Sequence, residues 1–303
     1  MSRMVKVCAI QGGPCGENVK ENVEQQLSYL EEAMAEKPDI VCFSEYTTIP
    51  AFCSSQSPDN FRFAEFIPDG PTAQAFSNAA KKFGIYVIAD IFEQAGNGIF
   101  FNTAPIFGPD GNIVWGTLGD GTPLRSYQKV HIPSSMDADG TLRANEKTYF
   151  HPGAGPAIFQ TKFGKVAILI CWDKRFTELW KIYGLWGAEI VFNPMTTWGS
   201  WRGDTYWNEM SVMALYNQYF VVGVGKSGKE TLFGEKDCSG GSIIADPSGH
   251  VLAKAQASPG KAIFAEVDLD MVKNSRIMTP IMRDRRPELY APVTQLSTAL
   301  PNL

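Results

Sequence analysis

The chain has 303 residues, of which 44% are hydrophobic and 19% are charged, as is typical of a globular domain. A formal net charge of −5 argues against nucleic acid and membrane surfaces as partners, because both are anionic. No apolar run reaches the roughly 18 residues of a membrane span, and the run at residues 7–10 is too short for a signal peptide. The six cysteines form no CxxC pair, so we expect reduced thiols in a cytoplasmic protein.

Helix-like and strand-like runs alternate along most of the chain. Helices are predicted at residues 18–35, 72–83, 178–184 and 211–218. Strands are predicted at residues 5–10, 40–43, 86–89, 166–170, 190–192, 219–224, 242–245 and 263–267. The turn at residues 109–112 contains proline and glycine, so residues 102–107 and 113–116 are predicted to form an antiparallel hairpin.

Residues 39–44 and 189–194 resemble each other, since each stretch follows a helix-like run and ends at a polar residue. This echo indicates two halves of similar build. Strands alternating with helices predict an α/β fold with a mixed sheet system covered by helices, in a single domain over residues 1–270. Beyond that point prolines recur, which predicts an irregular C-terminal tail over residues 271–303 that packs on a partner subunit.

Four polar residues lie near the predicted strands: Glu45, Lys129, Glu146 and Cys171. Taken singly, the charged residues are more often solvated, and a cysteine is more often a small buried apolar group. Cys171, however, ends a buried strand and precedes a helix start. At such a turn a thiol faces a cleft, and the helix N–H groups behind it lower its pKa and can hold an oxyanion. The sequence therefore favours Cys171 as a nucleophile.

Together these pieces resemble the carbon–nitrogen hydrolase (nitrilase) superfamily over nearly the whole chain. The matching segments, in the order Glu, Lys, Cys, are residues 44–45, 127–131, 170–176, 187–190 and 192–194. Ser44 and Thr177 depart from the family pattern, which usually has proline at both positions. The resemblance implies a four-layer α-β-β-α sandwich, a small-molecule substrate, and subunits that pair into a homo-oligomer, a dimer or a tetramer.

The resemblance also implies the chemistry. Glu45 is expected to act as general base while Cys171 attacks the carbonyl carbon, and Lys129 with the Trp172 backbone N–H holds the oxyanion. Glu146 is expected to keep Lys129 charged and oriented. No cofactor and no metal are expected, and the three histidines are scattered without the spacing of a ligand pair.

The segment after the nucleophile suggests a branch of the superfamily. Asp173 stands where nitrile-hydrolysing members usually carry glutamate, and residues 173–178 look most like the N-carbamoyl-D-amino acid amidohydrolases. Residues 159–164 also resemble β-ureidopropionases. We therefore expect hydrolysis of the ureido group of an N-carbamoyl amino acid to the amino acid, carbon dioxide and ammonia. Alternatives are an aliphatic or ω-amidase, a nitrilase, or a non-catalytic binding protein on the same scaffold.

Substrate-binding residues are expected near this segment. Arg175 either binds a substrate carboxylate, which its planar fork fits, or forms a structural ion pair. His131 and Asn193 are further candidates, whereas Lys174 is expected to be a solvated charge. The tryptophans of residues 195–207 either line a pocket wall or pack in the core: Trp198, Trp201 and Trp207.

Overall fold

The structure is a computed structural model that describes residues 3–136, 140, 142–199 and 203–295. Within these residues the helices are α1 (Val19–Ala33), α2 (Pro71–Phe83), α3 (Thr177–Leu185), α4 (Gly203–Asn217) and α5 (Asp270–Met278). Short 3-10 turns lie at Met34–Glu36, Pro58–Phe63, Glu146–Thr148, Cys171–Arg175, Pro287–Leu289 and Ala291–Thr294. No helix in these ranges is long and apolar enough to cross a membrane.

The strands of the same ranges are β1 (Met4–Ile10), β2 (Ile40–Phe43), β3 (Tyr86–Ile88), β4 (Ile91–Gln94), β5 (Phe100–Ala104), β6 (Ile106–Phe107), β7 (Gly116–Leu118), β8 (Pro123–Leu124), β9 (Tyr127–Gln128), β10 (Ser134–Met136), β11 (Leu142–Asn145), β12 (Ala157–Gln160), β13 (Lys165–Ile168), β14 (Ile190–Met195), β15 (Phe220–Gly225), β16 (Ser227–Glu230), β17 (Lys236–Ser239), β18 (Ile243–Ala245), β19 (Val251–Lys254) and β20 (Ala262–Asp268). Most fall into two large sheets. One has the order β20-β1-β2-β3-β6, and the other has the order β19-β18-β15-β14-β13-β12-β7-β8.

The two sheets repeat one design. In the first, β1, β2 and β3 are parallel and are joined through α1 and α2. In the second, β13, β14 and β15 are parallel and are joined through α3 and α4. Antiparallel strands flank each trio, β20 and β6 in one sheet and β12 and β18 in the other. The echo in the sequence falls on β2 and β14, the middle strands of the two trios, so the prediction of two similar halves is confirmed.

Each central strand is buried on both faces. In β1, Val7 and Ala9 pack between the sheets with Ile168 of β13, whereas Cys8 and Ile10 pack beneath α1 and α2. The second sheet likewise covers its outer face with α3 and α4. Strands buried on both faces are continuously apolar, which is why these runs were recognisable from sequence. The predicted four-layer α-β-β-α sandwich is confirmed.

The predicted hairpin around residues 109–112 is present but short. The Val114 N–H donates to the Ile106 carbonyl and the Gly108 N–H to the Asn112 carbonyl, on either side of an antiparallel bridge between Phe107 and Ile113. The chain then crosses from β6 in one sheet to β7 in the other.

The structure corrects the prediction of an irregular tail. The stretch after residue 270 begins with helix α5, because the first tail proline is Pro280 and Val272 is buried against the inter-sheet core. Irregular chain with two 3-10 turns starts only after this helix.

A close backbone approach at the end of β15 gives a stability prediction. A Cβ atom at Gly225 would lie 1.9 Å from the carbonyl oxygen of Gly240, which is backbone and cannot turn aside. We expect Gly225→Ala to lower the free energy of unfolding by about 3 kcal/mol or more, as overpacking does. Urea unfolding curves measure this. Gly16→Ala is the control, since no atom lies within 4 Å of its Cβ position; equal losses in both variants would contradict the prediction.

Candidate active site

Three chain segments meet at one end of the two sheets. Glu45 lies two residues beyond β2, and Cys171 begins the 3-10 turn shortly after β13. Lys129 follows β9, and its backbone N–H donates to the carbonyl of Asn102 on β5 at 2.8 Å. Ligands of open α/β sheets bind beyond the carboxyl ends of parallel strands, and Glu45 and Cys171 lie at such ends.

The Lys129 ammonium is the centre of the polar cluster. It is fully buried, and its Nζ lies 2.8 Å from Glu45 Oε1 and 2.9 and 2.7 Å from the two carboxylate oxygens of Glu146. Burial alone would lower the pKa of Lys129, but the charges of Glu146 and Glu45 outweigh it and raise that pKa well above its usual value. The ammonium is therefore a permanent cation held between two carboxylates.

The Glu45 carboxylate is held by groups from both halves of the molecule. Asn102 Nδ2 donates to Oε1 at 3.0 Å, and the Thr196 backbone N–H donates to Oε2 at 2.9 Å. The Thr196 hydroxyl also donates to the Glu45 carbonyl at 2.7 Å. Asn102 and Thr196 were absent from the sequence prediction. The local signals that could have pointed to them are weak. Asn102 is a polar residue within an aromatic strand, and Thr196 is a polar residue at the end of a buried strand.

Cys171 adopts a backbone conformation that is rare for a side chain of its size. Its φ is 44°, in the left-handed region, as at the sharp turns that present a nucleophile. Its Sγ lies 3.6 Å from the carbonyl oxygen of Thr196. Burial, then the charge of Glu45, raises the pKa of the Cys171 thiol to about 12. The free thiol is therefore protonated near neutral pH, and attack on a carbonyl requires a base to remove the proton.

The Glu146 carboxyl completes the cluster from the turn after β11. Burial raises its pKa to about 7, with the charge of Lys129 opposing the shift and the charge of Glu45 adding to it. Its ionisation therefore changes near neutral pH, in contact with the Lys129 ammonium.

A single buried carboxylate ties the Cys171 turn to the segment that carries Lys129. Asp173 accepts hydrogen bonds from the Tyr127 hydroxyl at 2.7 Å, the His131 backbone N–H at 2.8 Å and the Ile170 backbone N–H at 3.2 Å. Tyr127 and His131 lie two residues to either side of Lys129. The sequence analysis used Asp173 only to choose between branches of the superfamily. In the structure, Asp173 holds the turn that begins at Cys171 close to the segment that carries Lys129.

A cavity of about 310 Å³ opens onto Cys171 and Glu146. Its wall includes Tyr46, Cys53, Met136, Trp172, Thr197 and Trp198. The Trp172 backbone N–H belongs to the first turn of a short helix, where N–H groups have no intrahelical partner. Trp207 instead packs with its Nε1 donating to the Gly241 carbonyl at 2.9 Å, and Trp201 lies outside the described residues.

The position of Lys174 overturns the prediction of a solvated charge. The residue is only 8% exposed and lines the cavity. Its Nζ donates to the Cys171 carbonyl at 3.3 Å, and within the part of the chain that the structure describes no carboxylate lies within salt-bridge distance. Burial lowers the pKa of this ammonium. Lys174 is thus a cavity cation without a salt-bridge partner among the described residues.

The three residues predicted to bind substrate do not line the cavity. Arg175 forms an ion pair with Glu209, the structural alternative weighed above. His131 stacks on Phe176 with ring centroids 3.5 Å apart and lies 3.0 Å from Asp173. Asn193 is fully buried, donating to the Leu169 carbonyl and accepting from the Tyr206 hydroxyl.

Those contacts give Arg175 Nη1, His131 Nδ1 and the Asn193 amide partners within the protein. Among the described residues, no three His, Cys, Asp or Glu side chains gather into a set that could hold a metal ion.

Comparisons with known proteins identify the family of the chain. A family model described as carbon-nitrogen hydrolase matches residues 6–277. The chain is 34% identical to an N-carbamoylputrescine amidase from Arabidopsis thaliana over 301 residues, covering 95% of this chain and 94% of that protein. It is 31% identical to an omega-amidase from Xenopus tropicalis, covering 89% of this chain and 91% of the relative.

A solved structure also resembles the whole chain. The crystal structure of a carbon-nitrogen hydrolase from Helicobacter pylori G27 superposes with a TM-score of 0.85 at 27% identity, covering 97% of this chain and 100% of that one. The protein is therefore a hydrolase of carbon–nitrogen bonds other than peptide bonds, and it belongs to the carbon–nitrogen hydrolase family.

Proposed function

We propose that this protein hydrolyses the terminal carbon–nitrogen bond of a ureido group, with Cys171 as the nucleophile. The observation that carries the proposal is the buried Lys129 ammonium, bonded to Glu45 and Glu146 beside the cavity that Cys171 lines. The N-carbamoylputrescine amidases among the relatives support a carbamoylated substrate, because their name describes a compound of that type.

The first half of the reaction forms a covalent intermediate. Glu45 removes the thiol proton as Sγ of Cys171 attacks the ureido carbon, a role that the raised thiol pKa requires. Lys129 and the Trp172 backbone N–H stabilise the resulting oxyanion. Glu45 then returns the proton to the terminal nitrogen, which leaves as ammonia, and a thiocarbamate remains on Cys171.

The second half regenerates the enzyme. Glu45 activates a water molecule, which attacks the thiocarbamate carbon, and the sulfur leaves as the thiol. The product is a carbamic acid, which loses carbon dioxide and yields the free amine. One ureido group and one water molecule thus give one amine, one carbon dioxide and one ammonia.

The charge of the cavity supports a substrate with an anionic remote group, as in an N-carbamoyl amino acid. Lys174 lines the cavity without a salt-bridge partner among the residues that the structure describes, and a substrate carboxylate would supply one. The carboxylate on the described cavity wall, Glu146, is already bonded to Lys129, which leaves little attraction for a cationic substrate. We assign the anion-binding role to Lys174 in place of Arg175.

A second candidate is an ω-amidase reaction at the same site. The omega-amidase relatives favour it, and the chemistry of Cys171, Glu45 and Lys129 would be the same with an amide carbon in place of the ureido carbon. In the ureido reaction the carbon attacked by Cys171 carries a second nitrogen, and in the amide reaction it carries a carbon. Only the ureido product loses carbon dioxide, so carbon dioxide release distinguishes the two candidates.

We also propose that the protein works as a homo-oligomer, a dimer or a tetramer, with the tail of residues 271–303 contacting the partner. Large apolar side chains of that stretch are exposed, among them Ile277 at 63% and Val293 at 58%. The cytoplasmic location stays a prediction from the cysteines, all six of which are free thiols.

Replacing the nucleophile tests the mechanism. We expect Cys171→Ala to reduce ammonia release by about 10⁴-fold or more, because no other group forms the covalent intermediate. Circular dichroism and the urea midpoint report folding, which the change should leave intact. Cys8→Ala, which removes a thiol beneath α1 and α2, is the control and should keep kcat. Substantial turnover by Cys171→Ala would exclude the covalent mechanism.

The raised pKa of Glu146 predicts a pH dependence. The carboxylate form orients Lys129, so protonation as the pH falls through about 7 should lower kcat/KM. We expect Glu146→Gln to lower kcat by about tenfold or more, a barrier increase of about 1.4 kcal/mol or more. The variant should also lose the acidic limb near pH 7. Profiles from pH 5 to 9 measure this, and an unchanged limb in the variant would show that another group titrates there.

Substrate class is tested by measuring ammonia and carbon dioxide from four compounds: an N-carbamoyl amino acid, N-carbamoylputrescine, an ω-amide of a dicarboxylic acid and a nitrile. We expect turnover of the N-carbamoyl amino acid to be fastest, with equal amounts of both gases. Ammonia without carbon dioxide, from the ω-amide alone, would favour the second candidate. Absence of turnover with every ureido compound would exclude the ureido proposal.

Lys174→Met should raise KM for carboxylated substrates by about tenfold or more, since a hydrogen bond between charged groups contributes about 1.5–3 kcal/mol. KM for a neutral analogue without the carboxylate should stay unchanged. Arg175→Met serves as the matched comparison, because this neighbouring cation pairs with Glu209 outside the cavity wall. A larger effect from Arg175→Met would return the role to Arg175.

A further inference from the structure

The segment that carries Glu45 is buried but has no regular secondary structure. Residues 44–53 follow β2 as turns and extended chain, and every one of them is buried. Tyr46, Ala51 and Cys53 of this segment line the cavity. Because such a segment lacks a strand or helix to pair its backbone groups, other buried groups must supply their hydrogen bonds.

Lys226 supplies two of these bonds. It follows β15 in the opposite half of the molecule and is fully buried. Its Nζ donates to the Tyr46 carbonyl at 3.0 Å and to the Ile49 carbonyl at 2.7 Å, and it pairs with Glu230 at 2.7 Å. All three N–H groups of the ammonium are therefore used within the protein. Lys226 is not on the cavity wall.

Glu230 also bonds to the segment of residues 44–53, through a backbone N–H group. Its Oε2 accepts from the Ala51 backbone N–H at 2.7 Å, and its Oε1 accepts from the Cys15 backbone N–H at 3.0 Å. Burial alone would raise the pKa of Glu230, but the charge of Lys226 and these N–H groups hold it below its usual value. Lys226 and Glu230 thus form a buried ion pair, and most of their other hydrogen bonds are made to the segment of residues 44–53.

The position of the pair connects it to the reacting groups. The Lys226 backbone N–H donates to the Met195 carbonyl at 3.1 Å, next to Thr196, whose N–H and hydroxyl hold Glu45. Tyr46, whose carbonyl accepts from Lys226, adjoins Glu45 and has a φ of 51°. A residue held in this uncommon conformation needs its surroundings to keep it there.

We propose that Lys226 and Glu230 are positioning residues for the general base. They hold the segment of residues 44–53 so that the Glu45 carboxylate faces Cys171 and Lys129, and neither residue touches the reacting atoms. This inference rests on the proposed function for the role of Glu45. It assigns catalytic importance to a buried ion pair that lies outside the cavity.

The test compares Lys226→Arg, Lys226→Met and the double variant Lys226→Met/Glu230→Gln. The double variant removes both charges, so the Glu230 carboxylate is not left buried without its cation. It therefore keeps the test possible if Lys226→Met does not fold. In the folded variants that lack the ammonium, we expect kcat to fall by about 100-fold, the loss caused by a misplacement of about 1 Å. The pH profile of kcat/KM should shift as well, and Lys226→Arg should recover part of the loss.

Arg276→Met is the matched control. Arg276 is a part-buried cation that donates to the Ala188 carbonyl at 2.8 Å, away from the cavity. Its loss should lower the urea midpoint and leave kcat and the pH profile unchanged. If the folded Lys226 and Glu230 variants behave in that way too, the pair is merely structural and the inference is overturned.

Alkylation of Cys171 by iodoacetamide separates this inference from the proposed function. Its rate depends on removal of the thiol proton and needs no substrate. Loss of the ammonium should slow alkylation and shift its pH dependence relative to the wild-type protein and to Arg276→Met. An unchanged alkylation profile would overturn the inference even if the enzyme hydrolyses ureido compounds. A changed profile, in a protein that turns over no ureido compound, would contradict the proposed substrate alone.

Discussion

The Lys129 ammonium, buried between Glu45 and Glu146, is the interaction on which the rest of the site depends. A lysine removed from water is costly unless carboxylates surround it, and two carboxylates so close together repel each other without a cation between them. Each of the three groups therefore keeps the others in place. Burial raises the pKa of Glu146 to about 7 against the opposing charge of Lys129, and burial also leaves the Cys171 thiol protonated until a base acts.

The duplicated architecture explains where these groups come from. Glu45 follows the middle strand of one βαβαβ half, and Cys171 follows the first strand of the other. Thr196, beyond the middle strand of the second half, holds the Glu45 carboxylate and lies against the Cys171 sulfur. Glu45 and Cys171 thus lie where the two halves meet, and the distances within the polar cluster depend on how the sheets pack. Long-range contacts such as those of Lys226 are the means by which one half sets the geometry of the other.

Two adjacent cations after Cys171 differ in whether they line the cavity. Lys174 and Arg175 belong to the same 3-10 turn, but Lys174 lines the cavity and Arg175 pairs with Glu209 on another side. A short helical turn directs consecutive side chains to different sides, so adjacent residues need not serve one site. For this reason the proposed anion-binding role goes to the cation on the cavity wall, Lys174, and not to its neighbour Arg175.

The sequence by itself determined the class of fold, and it pointed to Cys171, Glu45 and Lys129 as candidate reacting residues. Strands buried on both faces are continuously apolar, and the turn after such a strand marked Cys171 locally. Glu45 also follows a buried strand, but only the resemblance to the family gave it a role. The tertiary structure decided the contacts among distant residues: Thr196 with Glu45 across 151 positions, Asn102 with Glu45, and Lys226 with the turn after β2. No local pattern encodes these contacts, because each depends on the packing of one sheet against another and on which side of a turn a side chain leaves.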